Sequence, residues 1–198
     1  MSAIAAVVLA AGASRRLGEP KQMVRIDEET LLERTVRVAL EADLEPVYVV
    51  VSGDQDFEFG VGKLANCSPL INDSAVEGMA SSIRVGVAAA AERAAGVVLL
   101  ACDQPAVTAE HLRELIAEQD EIAGSEYAGR RGVPAYFPAS EFPMLMELKG
   151  DVGARELLKG VKCIALPNGE VDVDTPDDLR LARGLFTARA ISVDTTPK

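Results

Sequence analysis

The sequence has no tryptophan, one histidine (His111) and three cysteines (Cys67, Cys102 and Cys163), and each scarcity removes a class of function. The cysteines stand far apart with no C-x-x-C pair, so with a single histidine a Cys/His zinc site has almost no support. An odd cysteine count fits a reducing compartment better than a disulfide framework. No apolar run reaches the roughly 20 residues a membrane helix requires. The opening MSAIAAVVLAAGA lacks the cation that precedes a signal peptide's apolar run, and both arginines follow it, so the reading is a cytoplasmic protein. Positive charge is scarce too, with 20 Lys and Arg against 31 Asp and Glu and a formal charge of −11. Without a basic surplus to neutralise phosphates, a nucleic-acid-coating protein and a binder of anionic membranes are both excluded.

What is present is a chain of 198 residues, 48% apolar, a length that suits one compact domain. There is no internal repeat and no low-complexity linker, so residues 1–190 are expected to form one unit and 191–198 a frayed tail. The charge is unevenly placed. Arg15, Arg16, Lys21 and Arg25 face Glu19 alone in the first 26 residues, a local +3, which leaves −14 on the other 172. Apolar runs at 4–9 (IAAVVL), 47–51 (VYVVV) and 97–101 (VVLLA) predict buried strands, with shorter ones at Leu70-Ile71 and 133–137. Helices are predicted behind the Thr30/Glu33 capping box, over about 81–95, from Thr108 to about 118, over 140–148, over 153–158 with Asp151 as cap, and from Thr175-Pro-Asp-Asp178. Alternating strands and helices predict an α/β fold, a mainly parallel sheet with helices on both faces. Ligands of such sheets sit beyond the carboxyl ends of the strands.

That rule singles out the loop after the first strand. Ala10, Ala11 and Gly12 let a ligand approach the backbone, and successive amides there can form an anion nest. Ser14 adds a hydroxyl donor, Arg16 and Lys21 positive charge, and the combination suits a polyphosphate. Neither the Rossmann G-x-G-x-x-G nor the Walker A pattern is present, and a glycine-containing surface turn with solvated arginines is the competing reading. Asp103 follows the strand 97–101, where a carboxylate is costly unless paired or metal-bound. Mg²⁺ takes one or two protein carboxylates plus waters and substrate phosphates. A second acid is offered by Asp172 or Asp174, which alternation points to one side; Asp174 is preferred, since Thr175 can cap the helix that follows. Carboxylates for Mg²⁺ plus a cationic loop form the minimum kit for phosphoryl or nucleotidyl transfer. His111 reads as a solvated helix residue, not a base, and Cys102 as a wall of the site.

Six segments in order carry a resemblance to a known family: LAAGASRRLGEPK (9–21), NDSAVEGMASSIRVG (72–86), CDQPAVT (102–108), RRGVPAYF (130–137), LKGDVGARELL (148–158) and DVDTPDDL (172–179). Together they resemble the MobA-like NTP transferases, in the branch of the molybdenum cofactor cytidylyltransferases. The resemblance implies a three-layer α/β/α nucleotidyltransferase (Rossmann-like) fold. It implies that Ala10, Ala11, Gly12, Ala13, Ser14, Arg16 and Lys21 hold the NTP phosphates, with Lys21, Arg16 and Asp103 catalytic, and that Asp103 and Asp174 bind Mg²⁺. It places Asn72, Gly78, Ser81 and Ser82 along base and ribose, and Gly150, Asp151, Gly153 and Arg155 facing the pterin substrate. Ala75 departs from the family, which often has an aromatic residue there. The implied activity is CMP transfer from CTP to the terminal phosphate of molybdopterin, with a molybdenum enzyme as recipient of the product. GTP as donor, another phosphorylated acceptor, and a non-catalytic molybdenum-cofactor-binding chaperone are the alternatives.

Overall fold

The computed structural model describes residues 3–12, 14, 16–53 and 66–193, and side chains as far as residue 185. Its centre is a seven-stranded sheet. Strand β1 (Ile4–Leu9) pairs in parallel with β4 (Val47–Ser52) on one side and β6 (Gly96–Ala101) on the other, and β5 (Ser68–Asn72) extends the β4 edge. Beyond β6 come β8 (Arg130–Pro138), β7 (Ala123–Tyr127) and β9 (Lys162–Ala165), of which β8 alone runs antiparallel to the rest. The chain moves outward from β1 through β4 to β5, then crosses to β6. The crevice between the carboxyl ends of β1 and β6 is therefore the switch point at which ligands of doubly wound sheets bind.

Alternation along the strands supplies two cores. Ala6, Val8, Val49, Val98 and Leu100 face helices α1 (Leu31–Glu41) and α3 (Ala109–Leu115). Ala5, Val7, Val50, Val97 and Leu99 face α2 (Met79–Ala90) and α4 (Phe142–Met146), which completes the three layers. Helix α1 has the predicted capping box: Thr30 Oγ1 accepts from Glu33 N, and Glu33 Oε2 accepts from Thr30 N. Helix α2 sits so close to β1 that a Cβ on Gly86 would meet Val7 Cγ1 at 2.2 Å. A third, smaller cluster joins Val24, Ile26 and Leu31 to Val171, Val173, Leu179 and Ala182 of the segment entering α5 (Pro176–Val193). It packs the hairpin of β2 (Arg25–Ile26) and β3 (Glu29–Thr30) against the end of the chain.

Several expectations change. Strands β7, β9 and the β2–β3 hairpin have no apolar run to announce them; the sequence AGSEY becomes a strand through its pairing with β8 and β9. Helix α2 begins at Met79 and stops at Ala90, short of the predicted 95, because the chain turns back to β6 with Ala95 N donating to Ala3 O. Helix α3 ends at Leu115 instead of about 118, and the predicted helix 140–148 divides into a 3₁₀ turn, Ala139–Glu141, and α4. Residues 154–158 form a 3₁₀ helix with Gly153 at its cap and no side-chain cap, so Asp151 does not have the capping role. Helix α5 runs through Val193, and 194–198 lie outside the described residues.

His111 is the largest correction. It lies on the inner face of α3, 5% exposed, with Nε2 at 2.7 Å from Ser125 Oγ. Ser125 donates its own proton to Pro134 O at 2.6 Å, so the imidazole must donate through Nε2–H. Burial pushes the His111 pKa down to about 4 from its ordinary 6.5. Between those values the unfolded chain holds the extra proton, so stability falls as pH falls through the window. Denaturant unfolding from pH 7 to 4 is expected to show a loss of about 2–3 kcal/mol from this group. The His111→Gln variant is expected to lack that part of the slope; equal slopes in both proteins would refute the assignment.

Candidate active site

Strand β1 delivers the loop into the crevice, with Ala10 N donating to Val50 O at 2.9 Å. Ala10 is buried, Ala11 half-buried and Gly12 exposed, and a Cβ on Gly12 would meet nothing within 4 Å. Ser14 adopts a positive φ of 45°, and its Oγ accepts from Lys21 N at 2.9 Å, closing residues 14–21 into a compact turn. Its hydroxyl also donates to Gly12 O at 3.4 Å, so it shapes the loop from both sides. Ala13 and Arg15, both in the predicted loop, lie outside the described residues.

The charged residues converge as predicted. Lys21 Nζ lies 2.7 Å from Asp103 Oδ2 and 2.6 Å from Asp174 Oδ1, while Arg16 Nη2 lies 2.8 Å from Asp174 Oδ2. Burial acts to lower the Lys21 pKa, but the Asp103 and Asp174 carboxylates outweigh it and hold the ammonium firmly protonated. Asp103 follows β6, and its carbonyl accepts from Val173 N at 2.9 Å, which ties the 172–174 segment to that strand end. Asp174 is then set by the start of α5, where Asp178 Oδ2 accepts from Thr175 N at 2.8 Å and Asp178 N donates to Thr175 Oγ1 at 3.3 Å. The segment is not an extended strand, since Asp172 N bonds Glu170 O and Asp174 N bonds Asp172 O. Asp172 nevertheless faces the same cluster. Burial first, then the Asp103 and Asp174 charges, push its pKa up to about 6.

Two carboxylate oxygens aimed at one cationic position are hard donors of the kind Mg²⁺ and Mn²⁺ prefer, so Asp103 and Asp174 fit a divalent ion. Among the described residues no group of three His, Cys, Asp or Glu is arranged to hold a metal alone, so substrate oxygens would have to complete the shell. The buried Cys102 thiol is raised by burial and by Asp103, which makes it an inert wall.

The remaining predicted residues gather at the start of α2. Asn72, Ser81 and Ser82 are buried, and Asn72 Nδ2 donates to Ser81 Oγ at 2.8 Å and to Ser82 Oγ at 2.9 Å. Their side chains bond one another and set the shape of the segment. Gly78, at φ +107°, lies against the predicted substrate loop: a Cβ there would stand 2.5 Å from Gly150 C and from Asp151 Oδ1. Ala80 N donates to Gly150 O at 3.0 Å, and Arg84 Nη1 donates to Leu148 O at 2.6 Å. A Cβ on Gly153 would meet Met79 Sδ at 2.9 Å, while Arg155 stands exposed on the 3₁₀ turn beyond. The two predicted groups are therefore one stitched unit.

Three contributors lie in the segments of the resemblance but have no role assigned there. Arg84 reads as an ordinary helix residue, yet it anchors the 148–153 loop. Gln104 is 4% exposed and donates from Nε2 to Tyr127 Oη at 3.2 Å and to Gly169 O at 3.3 Å, bracing the turn after Asp103. Arg130 lies with Cζ 6.0 Å from the centre of the Tyr127 ring and holds down the Asp172 pKa, which burial and the other aspartates raise.

Comparison with known proteins identifies the family. The MobA-like NTP transferase domain matches residues 6–167. The chain is 33% identical over 193 residues to the purine catabolism protein PucB of Bacillus subtilis, covering 89% of this chain and 94% of that one. It is 36% identical over 114 residues to a probable molybdenum cofactor guanylyltransferase of Opitutus terrae, covering 58% and 54%. The molybdenum cofactor cytidylyltransferase of Escherichia coli is 23% identical over 94% of this chain and 99% of its own. The crystal structure of Rv0371c from Mycobacterium tuberculosis superposes with a TM-score of 0.77 at 31% identity, covering 92% and 98%, and another structure of that protein, covering the same shares at TM-score 0.69 and 27% identity, is a complex with manganese.

The close contact at Gly78 yields a stability test. Gly78→Ala adds a Cβ where φ is +107° and backbone atoms stand within 2.6 Å. We expect thermal or urea denaturation to show a loss of about 2–3 kcal/mol, because a rigid backbone and not a flexible side chain must yield. A loss under about 0.5 kcal/mol would mean that the 148–153 loop is not held there.

Proposed function

The chain belongs to the MobA-like NTP transferase family and is a nucleotidyltransferase, and from that premise we propose that it moves CMP from CTP to the terminal phosphate of a molybdopterin-type acceptor. The observation that carries the chemistry is the convergence of Lys21, Arg16, Asp103 and Asp174 at the ends of β1 and β6. An oxygen of the acceptor phosphate attacks the α-phosphorus of the nucleotide, the bond from that phosphorus to the bridging oxygen breaks, and pyrophosphate leaves. Lys21 neutralises charge growing at the α-phosphate, while Arg16 and the amides near Gly12 receive the departing pyrophosphate. A divalent ion on Asp103 and Asp174 supplies further neutralisation of the phosphate oxygens when bound, in the manner its hard oxygen ligands allow. The manganese-bound relative supports a divalent requirement. The acceptor phosphate is already ionised, so no general base is needed, in keeping with an imidazole held away from the crevice by Ser125.

CTP as donor is supported by the AAG start of the loop and the GMASS opening of α2, which resemble the cytidylyl type. The Gly78–Gly150 stitch supports reading 148–155 as the acceptor side, because it sets that loop beside the segment assigned to base and ribose. The similarity to PucB over most of both chains favours a second reading, the same transfer to a different phosphorylated acceptor.

Pyrophosphate release is to be measured with each of CTP, GTP, ATP and UTP, with and without molybdopterin, at fixed Mg²⁺. Turnover is expected with CTP and only when the acceptor is present. A preference for GTP would replace the donor, and release indifferent to molybdopterin would replace the acceptor. Asp103→Ala is expected to lower turnover by about 100-fold or more with an unchanged circular dichroism spectrum. Nucleotide binding without metal-dependent release in the wild type would favour a cofactor-binding chaperone instead.

A further inference from the structure

We infer that Lys21 makes the site selective for a divalent cation that arrives with a nucleotide, against the same cation alone. The inference rests on reading Asp103 and Asp174 as the ligands of that cation. Lys21 Nζ bonds one oxygen of each, at 2.7 Å and 2.6 Å, and its side chain is only 14% exposed. An ion coordinated at about 2.1 Å by those oxygens needs the space the ammonium fills, so the two cations exclude each other. Arg16 is placed differently. It bonds the other oxygen of Asp174 and is 72% exposed, so it can remain while a metal ligates Oδ1.

Displacing Lys21 is costly unless the ammonium finds a new anion, since a half-buried cation without a partner is unfavourable. A triphosphate on the loop that ends at Lys21 provides that anion within reach of the flexible stem. The same nucleotide provides the oxygens that two carboxylates leave missing from the metal shell. Metal and nucleotide therefore raise each other's affinity, and Lys21 carries part of the coupling. Free divalent ions are thereby kept from the two carboxylates until the substrate arrives.

The test titrates manganese(II) into the nucleotide-free protein by calorimetry. Lys21→Met and Lys21→Gln are each expected to bind manganese at least about tenfold more tightly than the wild type. Arg16→Met removes the same unit charge beside the same Asp174 and is expected to gain about threefold or less. A non-hydrolysable CTP analogue is expected to raise manganese affinity steeply in the wild type and much less in the Lys21 variants. The inference is overturned if folded Lys21 variants gain nothing, if Arg16→Met gains as much, or if the wild type binds manganese equally well without the analogue. Adding Asp103→Asn to Lys21→Met is expected to cancel the gain. A gain that survives it would mean that Asp103 is not a metal ligand, whereas an absent gain with manganese still dependent on Asp103 in the nucleotide complex would remove the lysine's role alone.

Discussion

One ammonium group organises the site. Lys21 joins Asp103, 82 residues further along, and Asp174, 153 residues further along, so a single cation gathers the first loop, the end of β6 and the start of α5. Three aspartates, counting Asp172, meet there, and burial first, then the charges of Asp103 and Asp174, raise the Asp172 pKa. Lys21 and Arg16 offset the repulsion among these charges where the three segments meet. The interaction is thus structural and chemical at once. The residues that would stabilise transferred phosphate also neutralise the carboxylates that would hold its metal.

An ion cluster of this sort cannot position itself, and the rest of the fold carries that burden. The small core of Val24, Ile26, Leu31, Val171, Val173 and Leu179 fixes the distance between the Lys21 loop and the Asp174 segment by apolar packing, which is indifferent to charge. The bond from Val173 N to Asp103 O fixes the other pair. Arg34 Nε, donating to Pro105 O at 2.9 Å, ties the turn after Asp103 to helix α1. Each charged group therefore stands on a separate element that is held by neutral contacts. That arrangement lets Lys21 change partners without the backbone having to move.

The central sheet and the site's charged residues were legible because their signals are local. Apolar runs mark β1, β4 and β6, and the strand-end rule singles out Gly12, Lys21 and Asp103. What stayed hidden depends on distant partners. Strand β7 contains Ser125, fully buried, whose polarity argues against a core strand until His111 and Pro134 are seen to satisfy it. His111 itself shows no sequence mark of burial, because burial of an imidazole rests on one partner fourteen residues away. Asn72, Ser81 and Ser82 share one segment in the sequence reading, but a sequence cannot show that they bond to each other. Asp151 and Arg84 show the same limit, since a capping or surface reading is right locally and is overridden by the Gly78–Gly150 contact.

A formal charge of −11 would repel a nucleotide if it were spread evenly. At the crevice the balance is different: Lys21 and Arg16 stand against Asp103, Asp174 and Asp172, whose pKa burial raises. The cations are already engaged by carboxylates, so a bare triphosphate would have to compete with Asp103 and Asp174 for them. On the proposed reading a triphosphate that brings a divalent ion would meet no such competition, because the ion would take the carboxylates as the phosphates take the lysine. Acidity near the site is then no obstacle to a polyanionic substrate, and it favours the metal complex over the free nucleotide.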